Sequence, residues 1–515
     1  MLRSDTLIPL TSGAYKTRNA IGNSQICENL FPEANPENAS PDAPVTHYPR
    51  EGLRALASAP QQAVGRGLFT MSNGAAYCVI GPNVYYITSS FTLTLLGQIT
   101  TLFTPAYIDD NGTDALIVDG SATAFTITLD GNAFSAVSDT TGTYVGATRV
   151  SFSDTYLAMN AVKTNGWMVT VPNTVTFNAL QQANADSTPD PIATLCFNLR
   201  QMWLLKQTHS EIWYLAGSTP FPYQEWPNIA IPYGCAAQYS LVRADVSLFW
   251  LSRNDQGRAI AVKTKGDSVT AISTRALEFE WNSYATINDC VGGTFQQGGH
   301  TFVIFHFPTA DKTWAYDLAT EQWHARVWID KDGKPHRERV SFYTSVGAPG
   351  GYPETILGQD WQTGQIYALD PNVYTDNGNP IVCRRSFPHQ MKDMKEITIP
   401  AFVADFATGD IVGVGEQGTA GPSGNFNQDL SADFNITLQS LGVPAPALCM
   451  RFSKNGGRTW SHFRQKKLIS SGQYRSMMRY RALGMGRDWV FELMWVYPGQ
   501  TALNGAYLDA IEHSA

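Results

Sequence analysis

Short apolar or alternating runs, separated by Gly, Pro, Asn and Asp turns, recur along most of the chain. The clearest unit lies between Gly292 and Arg326. A Gly-Gly pair leads into residues 301–307, where apolar and polar positions partly alternate, as in a strand with one buried face. Pro308 ends that run, because it cannot donate to a sheet ladder. Residues 313–316 return as a second strand, and Asp317-Leu318-Ala319-Thr320 form a polar turn before Trp323. The same strand–turn–strand pattern recurs at 76–80 with 84–87, 115–118 with 125–127, and 155–159 with 166–169. It is found again at 195–205 with 211–214, 246–251 with 259–262, and 355–358 with 364–369.

The Gly-Gly, Tyr-Asp, Thr and Trp of residues 292–326 resemble one kelch-type propeller blade. A single blade cannot bury both faces of its sheet, so recurrence is the deciding observation. Seven candidate units at a spacing of roughly 40 to 55 residues match the period of propeller blades. The expectation is an all-β protein with a β-propeller of about six to eight blades over residues 67–380. An irregular pair of β-sandwiches is the alternative that the same turn signals permit. Residues 1–66 are rich in Pro and Asn with little periodicity, which reads as an extended N-terminal arm lying on the surface or on a neighbour. Residues 381–515 hold further strands, such as 397–402 and 490–496, around a glycine-rich loop near 415–424. Those strands need a second core, so a C-terminal β-sandwich is expected.

Composition agrees with many short strands. Charged residues make up only 16% and hydrophobic ones 43%, with 43 Gly and 28 Pro. No apolar run reaches the 18 or so residues of a membrane span, and the first residues carry no signal-peptide pattern, so no membrane anchor is expected. The seven cysteines, at 27, 78, 196, 235, 290, 383 and 449, are odd in number and widely spaced. That argues against a disulfide framework or a zinc ribbon and for folding in a reducing cytoplasm.

The net charge of −8 hides a segregated distribution. No Lys or Arg occurs between Gly67 and Thr148, a stretch that carries Asp109, Asp110, Asp114, Asp119, Asp130 and Asp139. Ten cations and no acid lie between Arg451 and Arg487, which leaves the rest of the chain at −18 against the whole-chain −8. They are Arg451, Lys454, Arg458, Arg464, Lys466, Lys467, Arg475, Arg479, Arg481 and Arg487. This basic stretch has three readings: phosphate binding, a solvated face, or a seat on the acidic surface of a neighbouring subunit. Phosphate binding would call for a domain that is basic overall; adjoining acidic and basic segments suit head-to-tail packing.

No catalytic constellation is found. Glu211, Glu225, Glu278, Glu280 and Asp317 are candidates for glycosidase carboxylates only by being acidic, and nothing in their spacing selects a pair. There is no GxSxG, no GxxxxGK[ST], no GxGxxG after a strand and no HExxH, so neither cofactor nor metal is expected. Ser453-Lys454-Asn455-Gly456-Gly457-Arg458-Thr459-Trp460 matches the Asp-box of sialidases and related propellers, with Asn in place of the Asp; such boxes fold a turn. The tryptophans at 203, 213, 250, 314, 323 and 361 recur beside the strand pairs, where core packing is the default and a glycan platform the alternative.

Several further segments carry a wider resemblance. They are Asn29-Leu30-Phe31-Pro32-Glu33, Val118-Asp119-Gly120, Ser210-Glu211-Ile212-Trp213-Tyr214 and Tyr233-Gly234-Cys235-Ala236-Ala237. With them go Gln297-Gly298-Gly299-His300, Tyr316-Asp317-Leu318-Ala319-Thr320, Tyr374-Thr375-Asp376-Asn377-Gly378 and Asn504-Gly505-Ala506-Tyr507-Leu508. In these the chain resembles the packaged-DNA stabilization protein family, the tail accessory or hub proteins of short-tailed bacteriophages. The resemblance implies a homo-oligomer, a six-fold ring below the portal and its adaptor protein, that continues the DNA channel. It implies help in retaining packaged DNA, passage of that DNA without sequence-specific binding, and docking of tail fibres, tailspikes or a plug-like needle. It also implies a virion location, with assembly in the host cytoplasm, and supplies no active-site residues. On the charge map, Asp109, Asp110 and Asp114 are expected to face the lumen or a partner. Arg451, Lys454, Arg464, Lys466, Lys467, Arg475, Arg479 and Arg481 are expected at a subunit or partner interface. A sialidase-like or lectin-like glycan-binding propeller is the alternative.

Overall fold

In a computed structural model, six of the seven units are the pair of middle strands of a four-stranded antiparallel blade, while the fourth runs wider, its 195–205 taking in both Ile192–Asn198 and Gln201–Lys206. The structure describes residues 4–8, 25–35, 45–227, 229, 231–253, 257–330, 332–391, 395–411, 447–468 and 474–512. The glycine-rich loop expected near 415–424 lies outside these residues. Blades 1 to 6 are consecutive in the chain, at 65–98, 107–136, 150–184, 192–225, 242–271 and 291–325. Blade 7 combines Val340–Val346, Thr355–Asp360 and Ile366–Asp370 with an outer strand, Gly52–Ala57, from the beginning of the chain. That strand closes the ring, because innermost strands Val340–Val346 and Gly65–Thr70 pack together as the other blades' do.

Blade packing explains the sequence pattern. The second strand of each blade is buried on both faces and reads as an apolar run, as in Ala76–Ile80 and Asp114–Val118. Its residues divide alternately between the two neighbouring blades. Ala76, Cys78 and Ile80 pack toward blade 7, while Tyr77 and Val79 pack toward blade 2. Further inter-blade cores include Trp203 against Trp250 between blades 4 and 5, and Trp167 against Trp213 between blades 3 and 4. Each such buried side chain contributes about 2–3 kcal/mol of apolar transfer.

The Gly-Gly signal of blade 6 has a steric cause. A Cβ on Gly292 would lie 2.3 Å from the Ser240 carbonyl oxygen, and one on Gly293 would lie 2.6 Å from the Tyr343 ring. Both glycines sit on the innermost strand of their blade, Val291–Gln297, with neighbours on either side. At its far end Gly298 and Gly299 both have positive φ, the two-residue hairpin that glycine makes readily.

The C-terminal region is a sandwich. One sheet orders Cys27–Glu28, Cys383–Ser386, Val490–Val496, Ala447–Ser453 and Arg464–Lys467. The other orders Leu30–Ala34, Val45–Pro49, Gly499–Glu512, Ile397–Ile411 and Arg475–Gly486, with Ser4–Leu7 also paired to Gly499–Glu512. Phe402 stacks on Phe491 across the two sheets at 4.8 Å, and Phe406 meets Trp495 edge-on at 5.1 Å. The described parts of residues 1–66 are therefore extended, as expected, but they are laid into sheets of their own chain. Five of their strands belong to the sandwich or close blade 7, and Gly65–Thr70 opens blade 1. Cys27–Glu28 also runs parallel to Gln322–Ala325, so the sheet of blade 6 continues into the sandwich.

Candidate functional site

Two surfaces stand out: the loops at one mouth of the propeller and the basic edge of the sandwich. Loops joining the second and third strands of a blade share one propeller face with loops joining successive blades. On that face a cavity of about 720 Å³ is bounded by blades 2 to 5 and the loops flanking them. Its lining includes Thr101, Asp119, Lys163, Gln207, Gln238 and Arg253.

The acid in this mouth is committed to the fold. Asp119 Oδ1 accepts from the Ser121 amide at 3.0 Å and its hydroxyl at 2.5 Å; Oδ2 accepts from the Thr101 amide at 2.9 Å and its hydroxyl at 2.8 Å. Burial pushes this carboxyl up, but those bonds outweigh it and hold it below the usual range. The cations are not so committed. Lys163 is exposed on a turn with φ 63°, and among the described residues Arg253 donates to the neutral Asn288 side chain, at 2.6 Å.

The three expected acidic residues sit on blade 2. Asp109 accepts from the Phe152 amide of blade 3 at 2.7 Å, and burial raises its pKa despite that bond. Asp110 is buried and accepts from the Ser72 amide of blade 1 at 2.8 Å and from the Ser72 hydroxyl. These two carboxylates thus join blade 2 to both neighbours. Asp114 is half-buried beside the turn that Asn111 organises.

The basic stretch divides by role. Arg451 is bidentate to the buried Glu492, at 2.8 and 3.1 Å, and its guanidinium lies 4.6 Å from the centre of the Trp460 ring. Arg475 is bidentate to Asp405 at 3.0 and 2.7 Å while staying exposed. Arg464 and Lys466, on the edge strand Arg464–Lys467, donate to the Arg481 and Arg479 carbonyls of the other sheet's edge strand. They close the side of the sandwich and cap backbone acceptors that another strand could use. Lys454, Lys467, Arg479 and Arg481 are exposed and make no ion pair among the described residues. Alternation along Arg475–Gly486 turns Arg475, Met477, Arg479 and Arg481 outward together, with Tyr474 and Met485 also exposed.

Other sequence candidates have structural work. In the Asp-box, Ser453 Oγ accepts from the Gly457 amide at 2.9 Å and Asn455 Oδ1 from the Thr459 amide at 2.9 Å, with Gly456 and Gly457 at positive φ. Glu211 is buried; it accepts from the Ser187 amide at 3.1 Å and the Trp213 indole at 3.0 Å, and lies 3.4 Å from the buried Lys206 ammonium. Asp317 accepts from His300 at 2.8 Å, from Thr320 at 2.8 Å and from the Ala319 amide at 3.0 Å, pinning the blade 6 turns. Trp203, Trp213, Trp250, Trp314 and Trp323 are all buried. No helix among the described residues is long and apolar enough to cross a membrane, and no group of three or more His, Cys, Asp or Glu there could hold a metal ion.

A buried polar knot escaped the sequence reading. Asn29, at φ 57°, donates to the Val327 carbonyl at 2.8 Å and the Val382 carbonyl at 2.9 Å, and accepts from Arg50 Nε at 2.9 Å. Arg50 pairs with Asp376, and Arg326 pairs with both Glu51 and Glu338, the latter at 3.1 Å. All six side chains are buried. They join the early chain to blade 6, blade 7 and the sandwich. The Asn29 and Asp376 motifs were visible in the sequence as segments of a resemblance, without a role.

The architecture defines a seven-bladed β-propeller fused to a β-sandwich. The chain belongs to the phage stabilisation family, described as "Bacteriophage P22 Gp10, beta-propeller", whose model matches residues 6–374. The family is one of structural phage proteins, which makes this a virion protein concerned with stabilisation. No curated protein sequence matches the chain. Among solved structures, the N-terminal domain of Nup159 is similar at 9% identity and a TM-score of 0.41, covering 67% of this chain and 98% of that one. The extracellular domain of the one-component system protein BT4673 from B. thetaiotaomicron is similar at 7% identity and a TM-score of 0.43, covering 62% of this chain and 40% of that one. At those scores neither bears on function.

Proposed function

We propose that this protein is a structural, non-enzymatic component of a short phage tail. Copies assemble head-to-tail into a ring, taken as six-fold, below the portal and its adaptor; the ring continues the DNA channel, helps retain packaged DNA and docks fibres, spikes or a needle. Within the family assignment, the observation that carries this reading is the outward stripe of Arg475, Met477, Arg479 and Arg481 on a sandwich edge. Arginine and methionine side by side suit a protein interface, and the acidic remainder of the chain supplies a complementary surface on the next copy. An acidic ring would not grip phosphates, so DNA could slide through it during ejection.

Structure also guides the choice of variants. Arg451, Arg464, Lys466 and Arg475 have partners within the chain, so reversing them would disturb the fold. Reversal of Lys467, Arg479 and Arg481 to Glu should leave the monomer folded and keep it out of particles. Normal incorporation of that triple variant into infectious tails would sink the interface.

A further inference from the structure

We infer that the loop-lined mouth on the propeller face is a binding site for an extended peptide segment carrying a carboxylate beside a bulky apolar side chain. This inference concerns a surface of the propeller, is independent of the sandwich edge, and does not depend on ring formation.

The cavity volume of about 720 Å³ falls within the roughly 300–1,000 Å³ of ligand pockets and can take a few residues of extended chain. Its charge is one-sided in what it offers a ligand. Asp119 is saturated by four hydrogen bonds from Thr101 and Ser121. Asp190, next to the lining Pro191, accepts from the Thr208 amide at 2.7 Å and hydroxyl at 2.9 Å, and lies 3.8 Å from the Lys206 ammonium. Lys163 of blade 3 and Arg253 of blade 5 instead present donors without a carboxylate partner among the described residues. An incoming carboxylate would be the natural counter-charge.

The rim supplies the apolar half. Leu102 is 50% exposed, Phe103 77% and Val145 56%. These residues come from contiguous loops: the Thr101 amide bonds Asp119, and the Gly120 amide bonds the Ala147 carbonyl at 2.8 Å. An exposed phenylalanine next to an exposed leucine on an anchored loop is an apolar ledge that water does not favour.

Peptide is favoured over glycan by the aromatic distribution. Sugar rings are held by flat exposed indole or phenol faces, yet no tryptophan lines the mouth and its Tyr239 is buried, stacked on Tyr107 at 6.2 Å. Gln207 and Gln238 in the lining can meet backbone amides of an extended segment.

A displayed library of random heptapeptides, panned on the full-length protein, tests this assignment. Expected is enrichment of sequences pairing Asp or Glu with Leu, Phe or Trp. Their affinity should fall about tenfold or more in the double variant Lys163→Asp, Arg253→Glu, and in Phe103→Ser separately. All three positions are exposed, and the aspartate tolerates the left-handed backbone of residue 163. Unchanged thermal unfolding of the variants distinguishes lost binding from lost fold, and an unfolded double variant leaves Phe103→Ser to decide. No enrichment, or enriched peptides that bind all variants equally, would overturn the inference. So would an array on which the wild-type protein captures a glycan and the double variant does not.

Discussion

Arg50 and Asp376 form a bidentate ion pair, at 3.0 and 2.5 Å, in which both side chains are almost fully withdrawn from water. Arg50 comes from the early chain and Asp376 from the hairpin after blade 7. The pair stands at the seam where the ring closes, beside the outer strand Gly52–Ala57. Removing one partner strands a buried charge, which costs about 3–5 kcal/mol. Arg50→Ala is expected to lower the urea midpoint accordingly, and the charge-removing double variant with Asp376→Ala to recover part of the loss. Equal stability of wild type and Arg50→Ala would remove the pair from the closure.

Histidines set an acid limit on stability. Burial holds His47 and His306 well below the usual value, and burial with the nearby Arg326 pushes His324 down to about 3. Each is neutral when folded and takes a proton on unfolding below the unfolded value of about 6.5. Their contribution is complete above that value and is lost as pH falls toward the folded value, at up to about 1.4 kcal/mol per pH unit for each. His300 acts in the opposite sense: its hydrogen bond to Asp317 raises it, so its contribution is full below about 6.5 and fades as pH rises through the folded value. Below about 6.5 only the first three change, so the histidines' contribution to stability should fall between pH 6.5 and 5. Chemical denaturation at pH 7.5 and 5.5 checks this, with His324→Gln expected to show a shallower fall by about one proton.

Blade 4 carries a strained hairpin. Leu199 and Arg200 both adopt positive φ, at 48° and 64°, in a two-residue turn that blade 6 makes with Gly298-Gly299. Left-handed backbone costs such residues about 1–2 kcal/mol each. Leu199→Asn with Arg200→Gly should therefore raise stability by about 1–2 kcal/mol overall, read as a higher urea midpoint at unchanged slope. A lower midpoint would contradict the strain.

Gly293 is expected to tolerate no side chain. Alanine there would press on the Tyr343 ring, an overpacking that costs about 1–3 kcal/mol. Thermal unfolding of Gly293→Ala reads the loss, and an unchanged midpoint would show that the ring moves aside freely.

The inner parts of the propeller were legible because the middle strands are buried on both faces and bounded by Gly, Asn and Asp turns. Six of the seven units read from the sequence coincide with middle strands of blades, and the fourth, 195–205, merged the first two strands of blade 4 across the Leu199-Arg200 turn. Outer strands were not legible: Leu93–Gln98 and Ala133–Ala136 are largely exposed and carry little alternation. The pairing of Gly52–Ala57 with Ile366–Asp370 spans some three hundred residues and leaves no local signal, which is why the early chain read as an extended arm on the surface or on a neighbour and not as part of a blade. Charge clustering marked the basic stretch of the sandwich edge but could not separate Arg451 and Arg475, tied to Glu492 and Asp405, from Arg479 and Arg481, which make no ion pair among the described residues. The mouth was invisible because its lining is gathered from loops of several blades.

Negative-stain microscopy of the purified full-length protein tests the central claim most directly. Hollow rings of uniform subunit number are expected for the wild type, and folded monomers for the Lys467, Arg479 and Arg481 triple reversal to Glu. A wild type that stays monomeric at concentrations reached during tail assembly, or a triple variant that forms the same rings, would contradict the account.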